Sequence, residues 1–333
     1  MRALTFIIVA FVGIFTLQAK TITDMAGRKV EIPDKVERIL PYDPKTSIFI
    51  FPVLEDKMVA ASVLPGKKDY QFIAEPYKNM PEMDVKNIEA VLATAPQVIL
   101  YGIYEKNDNT EPVLDLGRRL NIPVIMVNLS LDKLDDAYRF LGSVFSVDKK
   151  CIPLIAFIQK VYITADSLKK VNPAVSANVY YSIGPNGLMT DPAGSKHTEV
   201  LDYMKIPNVA KVDIPTGGHA KVNMEQVILW NPDYILTSNF KSNTCAYNTI
   251  VSDSKWSTIK AVQEKNIYKV PSQPMGWLDH PPSINRLPGM IWSSGIFYQY
   301  PEEKVKNDIL KFYKLFYKYS LTDSEYKLLF NPE

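Results

Sequence analysis

Cysteine is almost missing from this 333-residue sequence, with only Cys151 and Cys245 present. That excludes a disulfide-stapled scaffold and any four-cysteine metal site. One bridge remains arithmetically open. It would tie opposite halves together and hinder their relative movement, so two buried thiols are expected. Histidine is nearly as scarce, at three, and none shows His-x-x-x-His spacing, so the strongest sequence signature of a metal hydrolase is absent. An excess of one charge sign is also lacking. Lys and Arg number 38 against 36 Asp and Glu, which removes the basic surplus expected of a nucleic-acid binder. Only one long apolar run stands out, close to the N-terminus, and it is shorter than the roughly 20 residues a transmembrane helix needs.

That run reads as an export signal over residues 1–19. Arg2 supplies the positive start, residues 4–17 are almost wholly apolar, and Leu17-Gln18-Ala19 offers a small-residue cleavage site before Lys20. No cysteine follows the cleavage site, which argues against a lipid anchor. A soluble, exported, periplasmic protein is expected, and its length suits two domains of ordinary size.

A fifteen-residue pattern occurs twice, at 87–101 and 223–237. Six positions coincide: Asn87 and Asn223, Glu89 and Glu225, Val91 and Val227, Pro96 and Pro232, Ile99 and Ile235, Leu100 and Leu236. In each copy Asn caps a helix, Glu stands in its first turn where the macrodipole favours a carboxylate, Pro ends it, and a short apolar strand follows. One such unit in each half predicts two similar α/β lobes. Strand-like runs at 36–40, 58–62, 97–101 and 123–127 alternate with helical patterns at 48–54, 88–94 and 112–120, the mark of mostly parallel sheets covered by helices. From 131 to 170 the pattern is helical, with a break expected near 147–153. Apolar residues at 154, 155, 157, 158, 161, 165 and 168 then give one helical face. The second half repeats the plan with strands at 178–183, 234–237 and 267–270. Its helices are expected at 197–204, 222–230, 256–263, 284–297 and 303–319. The expected division is 20–150 for the first lobe, 151–172 for one long inter-lobe helix, and 173–333 for the second lobe with its C-terminal helices.

The opening Thr-Asp-Met-Ala-Gly-Arg-Lys-Val-Glu-Ile-Pro at 23–33 and Val-Glu-Arg-Ile-Leu at 36–40 carry a family resemblance. So do the two repeats, residues 194–210 and 256–271, and the run Trp277-Leu278-Asp279-His280-Pro281-Pro282-Ser283 with Arg286. Together they resemble the periplasmic substrate-binding proteins of ABC importers for metal chelates, iron-siderophores, haem and cobalamin, some of which bind molybdate or tungstate. The resemblance implies two lobes joined by a long helix, a ligand cleft between them and limited closure. It also implies no enzymatic activity and no intrinsic cofactor, a monomer, and delivery to a permease that Glu89 and Glu225 would dock.

Ligands of open α/β sheets lie beyond the carboxyl ends of strands. That rule selects Lys67, Lys68, Lys241 and Arg286 for an anionic chelate, and Tyr42, Tyr70, Tyr101, Tyr104 and Trp277 for an aromatic wall. His219 and His280 are the first choices for completing an unsaturated metal centre, with His197 beside a helix start as the third. Many relatives carry arginine where His280 stands, which weakens any anion contact carried over to it. The expected ligand is a metal chelate of the iron-siderophore type. The alternative is a molybdate-like oxyanion, held at helix starts by Thr46 and Ser47 or by Gly194 and Ser195. An exported metal-dependent hydrolase, with Asp279 as base beside His280, is the outlying possibility.

Overall fold

The computed structural model describes residues 19–62, 71–104, 108–171, 177–215, 219–238 and 245–330. Residues 1–18 of the expected export signal fall outside these. The described chain opens with an antiparallel hairpin, β1 (Ala19–Thr23) and β2 (Lys29–Pro33). Asp24 holds its turn, accepting from the backbone of Ala26 and Arg28, and it pairs with the Arg28 guanidinium at 2.6 Å. It also takes the Met126 amide, which pins the hairpin to the first sheet.

That sheet has three parallel strands in the order β3 (Ile39–Pro41), β4 (Val98–Ile103) and β5 (Val124–Asn128). The run at 58–62 does not extend it as a strand. It contributes only isolated bridges, Met58 to Ile39 and Ala61 to Glu82. The second sheet runs β10 (Ile267–Lys269), β9 (Tyr234–Thr237), β6 (Val179–Ile183), β7 (Met189–Thr190), β8 (Ala220–Lys221). Its first three strands are parallel and its last two antiparallel.

The two repeats fold alike. Asn87 accepts from the Ala90 amide at 3.1 Å and Asn223 from the Gln226 amide at 2.8 Å, starting the helices Ile88–Ala93 and Met224–Trp230. Both helices are followed by a left-handed residue just before the proline, Ala95 and Asn231. The strand after each proline divides its side chains in the same way. Ile99 and Ile235 enter a small core peculiar to each lobe, together with Val91 and Val227, while Leu100 and Leu236 enter the large central core. Alternation along a strand explains the split.

The chain between the sheets makes two helices, Leu134–Phe145 and Asp148–Val171. The break comes at Ser146, in left-handed conformation, so Pro153 lies inside the second helix. By length and composition this 24-residue helix could cross a membrane, although no such run was expected beyond the N-terminus. Its stripe of Cys151, Leu154, Phe157, Ile158, Val161 and Ala165 is instead buried in the central core. There Phe157 meets Phe312 and Phe316, with ring centres 6.3 and 5.8 Å apart. Cys151 and Cys245 are free thiols, the first buried and the second half-buried.

Helix Glu302–Phe312 widens into a π-turn at Tyr313–Tyr317 and brings the tail back to the first lobe. Tyr317 O accepts the Ala74 amide there, and Lys318 pairs with Glu55. Assigned to the second lobe by chain order, this tail packs against the first. The central core therefore runs unbroken through both lobes and the helix between them.

Candidate functional site

Strands β7 and β8 are only two residues each, yet their register builds half of the site. Thr190 pairs with Ala220 and Met189 with Lys221. Continuing that antiparallel register by one step sets Asp191 opposite His219, and His219 Nδ1 lies 2.9 Å from Asp191 Oδ1. Asp191 is fully buried. Its hydrogen bond to His219 raises the imidazole pKa above 6.5, against the opposing effect of burial.

The other half comes from two loops. His197 precedes the helix Glu199–Tyr203, and Asp279-His280 lie between β10 and the helix Arg286–Tyr298. Asp279 is buried and accepts from the Tyr181 hydroxyl of β6 at 2.9 Å. Its Oδ2 stands 2.9 Å from His280 Nε2 and 3.4 Å from His197 Nδ1. Burial alone would raise the Asp279 pKa, but His280 and His197 outweigh it and hold the carboxyl well below the usual carboxylate range. The loop is pressed into place by Gly289, where a Cβ would stand 2.2 Å from the Trp277 carbonyl oxygen. Only glycine permits that approach.

The three imidazoles face one another. Ring centres are 6.0 Å apart for His197 and His219, 5.9 Å for His197 and His280, and 5.6 Å for His219 and His280. The rings are therefore neighbours, each about 3.4 Å from their common centre. Donor atoms of His197, Asp279 and His280 lie within 4.8 Å of one another, a spacing that could hold a metal ion, and His219 is not in that group. Each histidine has one ring nitrogen within 3.4 Å of a buried carboxylate oxygen, and the contact of His219 with Asp191 is a hydrogen bond of the kind that fixes tautomer and orientation in metal sites. The sequence reading placed His219 and His280 first. The structure brings His197 to them as an equal, and adds Asp191 and Asp279 as their buried supports.

The remaining selected residues divide sharply. Lys67, Lys68, Tyr70 and Lys241 lie outside the described residues. Tyr42 and Tyr101 meet edge to face at 5.3 Å on the first lobe. Burial and then Asp43 push the Tyr101 hydroxyl up to about 12, so it stays protonated. Tyr104 is buried and donates its hydroxyl to Pro282 O across the cleft. Trp277 is fully buried, packed on Phe330 at 5.8 Å. Arg286 is fully buried as well and engaged by Glu199, so it presents no free charge to a ligand. Two lysines not selected from sequence stand beside these tyrosines. Lys45 Nζ is 4.5 Å from the Tyr101 ring centre, and Lys196 Nζ is 5.7 Å from that of Tyr104. Lys45 is already paired with Asp43.

The helix starts expected for an oxyanion are occupied by the chain's own acids. Asp43 takes the Thr46 amide at 2.9 Å and its hydroxyl at 2.6 Å, and Asp202 takes the Gly194 amide at 3.2 Å. Thr46 and Ser47 are completely buried.

One parallel and one mixed sheet, flanked by helices and joined by a helical spine, form the architecture of a solute-binding protein. Residues 46–274 match the family model described as periplasmic binding protein, and the chain belongs to that family. It is 25% identical over 338 residues to the molybdate-binding protein MolA of Haemophilus influenzae, spanning 91% of this chain and 93% of MolA. An ABC transporter solute-binding protein of Sulfurospirillum deleyianum superposes with a TM-score of 0.81 at 27% identity, covering 93% of this chain and 99% of that one. The Helicobacter pylori protein CeuE, in a complex with nickel and histidine, shares the fold at a TM-score of 0.64 and 15% identity, over 94% and 99% of the two chains. The chain is a periplasmic binding protein of an ABC transporter system, and its relatives are solute carriers and not enzymes.

Proposed function

We propose that this protein captures a metal chelate whose metal keeps open coordination positions, and that His197, His219 and His280 fill them. The carrying observation is that three imidazoles lie side by side, each with a ring nitrogen within 3.4 Å of a buried carboxylate oxygen. With neutral histidines, Asp191 and Asp279 leave the site negative, which favours a cation and disfavours an oxyanion. A hexadentate siderophore saturates its iron and leaves nothing for the imidazoles. The geometry therefore favours a smaller or incomplete chelate within the expected class. The complex of CeuE with nickel and histidine offers an example of such a ligand in the same fold.

The likeness to MolA supports a rival ligand, molybdate, bound by protonated histidines. pH separates the two. Metal binding needs neutral imidazole, so calorimetric affinity for Ni2+ with free histidine should fall as pH drops from about 8 to 5.5. Molybdate affinity should rise over the same range. Tight molybdate binding with no nickel binding at about pH 8 would overturn the metal reading.

The repeats support delivery to a permease through two matching sites. Glu89 and Glu225 are exposed at equivalent positions of the two helices. Beside them stand exposed Leu92 and Ile228, which also correspond in register, and Leu229. Paired carboxylates on apolar ground, one set per lobe, suit a partner with two related basic sockets. Residues 1–19 act in this reading as a cleavable export signal.

A further inference from the structure

Glu199 lies two residues after His197, and Arg286 six residues after His280. Neither faces the imidazole triangle, yet together they tie both histidine-bearing segments to the opposite lobe. Glu199 Oε1 accepts the Leu131 amide at 2.8 Å, and its Oε2 pairs with Arg286 Nη1. Arg286 spends its other nitrogens on main chain, Nη2 on Leu129 O and Nε on Ser283 O at 3.1 Å. Leu129 and Leu131 follow β5 of the first lobe and are fully buried. Tyr162 of the long helix donates to the Leu131 carbonyl and steadies the same turn. Two more bonds close the seam: Ser283 Oγ to Lys45 O at 2.8 Å, and the Tyr104 hydroxyl to Pro282 O.

We propose that Glu199 and Arg286 are positioning residues, a bracket that sets the separation of His197 and His280 by anchoring both to the turn after β5. This rests on the reading of the three histidines as metal ligands. The guanidinium is the only side chain that can hold three acceptors in a fixed fork. One acceptor lies in each of three segments: the first-lobe turn, the His197 helix and the His280 loop. A shift of the first-lobe turn is thereby passed to both imidazoles, so lobe movement and coordination geometry change together.

The test uses Co2+ alone, whose visible d–d bands report coordination geometry, with calorimetry for affinity. Arg286→Lys keeps the charge but not the fork. It should bind Co2+ at least about tenfold more weakly, as supporting-shell changes do, with altered band positions. Ser283→Ala removes one seam bond with little change of shape, and should shift affinity in the same direction by a smaller factor. It decides the matter if Arg286→Lys does not fold. A lower melting temperature with unchanged bands and affinity would make the pair merely structural and overturn the proposal. Wild-type protein that binds no Co2+ would overturn the metal reading itself, and the bracket with it. Wild-type binding matched by both variants would overturn the bracket alone.

Discussion

Asp191→Asn isolates what a buried carboxylate does for a histidine ligand. The side chain is fully buried, so the near-isosteric amide should keep the packing. Its oxygen can still accept from His219 Nδ1, now 2.9 Å from Asp191 Oδ1, but without the charge that makes the imidazole a better donor. Loss of such a supporting carboxylate costs about 10–100-fold in metal affinity. That is about 1.4–2.8 kcal/mol, an interval calorimetry with Ni2+ or Co2+ at pH 8 resolves readily. The ligand-free protein gives a second, opposite signature. Asp191 raises the His219 pKa from 6.5, so the charged pair stabilises the fold fully below that value. The contribution is lost as pH rises through the raised value. The ligand-free variant should therefore be less stable than wild type in acid, with the deficit vanishing at pH 8. Unchanged metal affinity at pH 8, with only the acid-side deficit, would refute the ligand role of His219 and leave a plain ion pair.

Three further outcomes are expected. Tyr181→Phe removes the hydroxyl that donates to buried Asp279 at 2.9 Å and should cost about 1–3 kcal/mol in denaturant unfolding at neutral pH, whereas an unshifted midpoint would contradict the assigned bond. Gly289→Ala drives a Cβ to within 2.2 Å of the Trp277 carbonyl oxygen. Overpacking of that kind costs typically 1–3 kcal/mol, and metal affinity should fall as the His280 loop is displaced. Glu89→Lys combined with Glu225→Lys should abolish uptake in cells while ligand affinity of the purified protein stays unchanged. Normal transport by that double variant would exclude docking through these two carboxylates.

The sequence was most informative where periodicity had room to act. Asn87, Asn223 and their prolines marked helix and strand correctly because capping and termination are local chemistry, independent of what packs around them. The apolar face of the long helix was legible over about four turns for the same reason. The site was harder to read because its geometry comes from short or distant elements. A two-residue strand such as β7 has no period, so nothing in the sequence sets Asp191 opposite His219, 28 positions away. Arg286 was read as a ligand contact because basic residues past strand ends usually face solvent. Its partner Glu199 lies 87 positions earlier, and only the fold reveals a buried pair. Trp277 misled likewise, as an aromatic residue in a loop that the fold turns inward.

The 24-residue helix between the lobes has one more implication. At about 1.5 Å per residue it is roughly 36 Å long. A flexure of only about 5° along it moves one end by about 3 Å, hardly more than one hydrogen bond. With the core continuous on both sides, larger excursions would break packing. The molecule then works as a calliper. On the proposed docking through Glu89 and Glu225, loaded and empty forms would differ chiefly in the gap between the two exposed carboxylates, and a permease with sockets at a fixed spacing would gauge occupancy without touching the cargo.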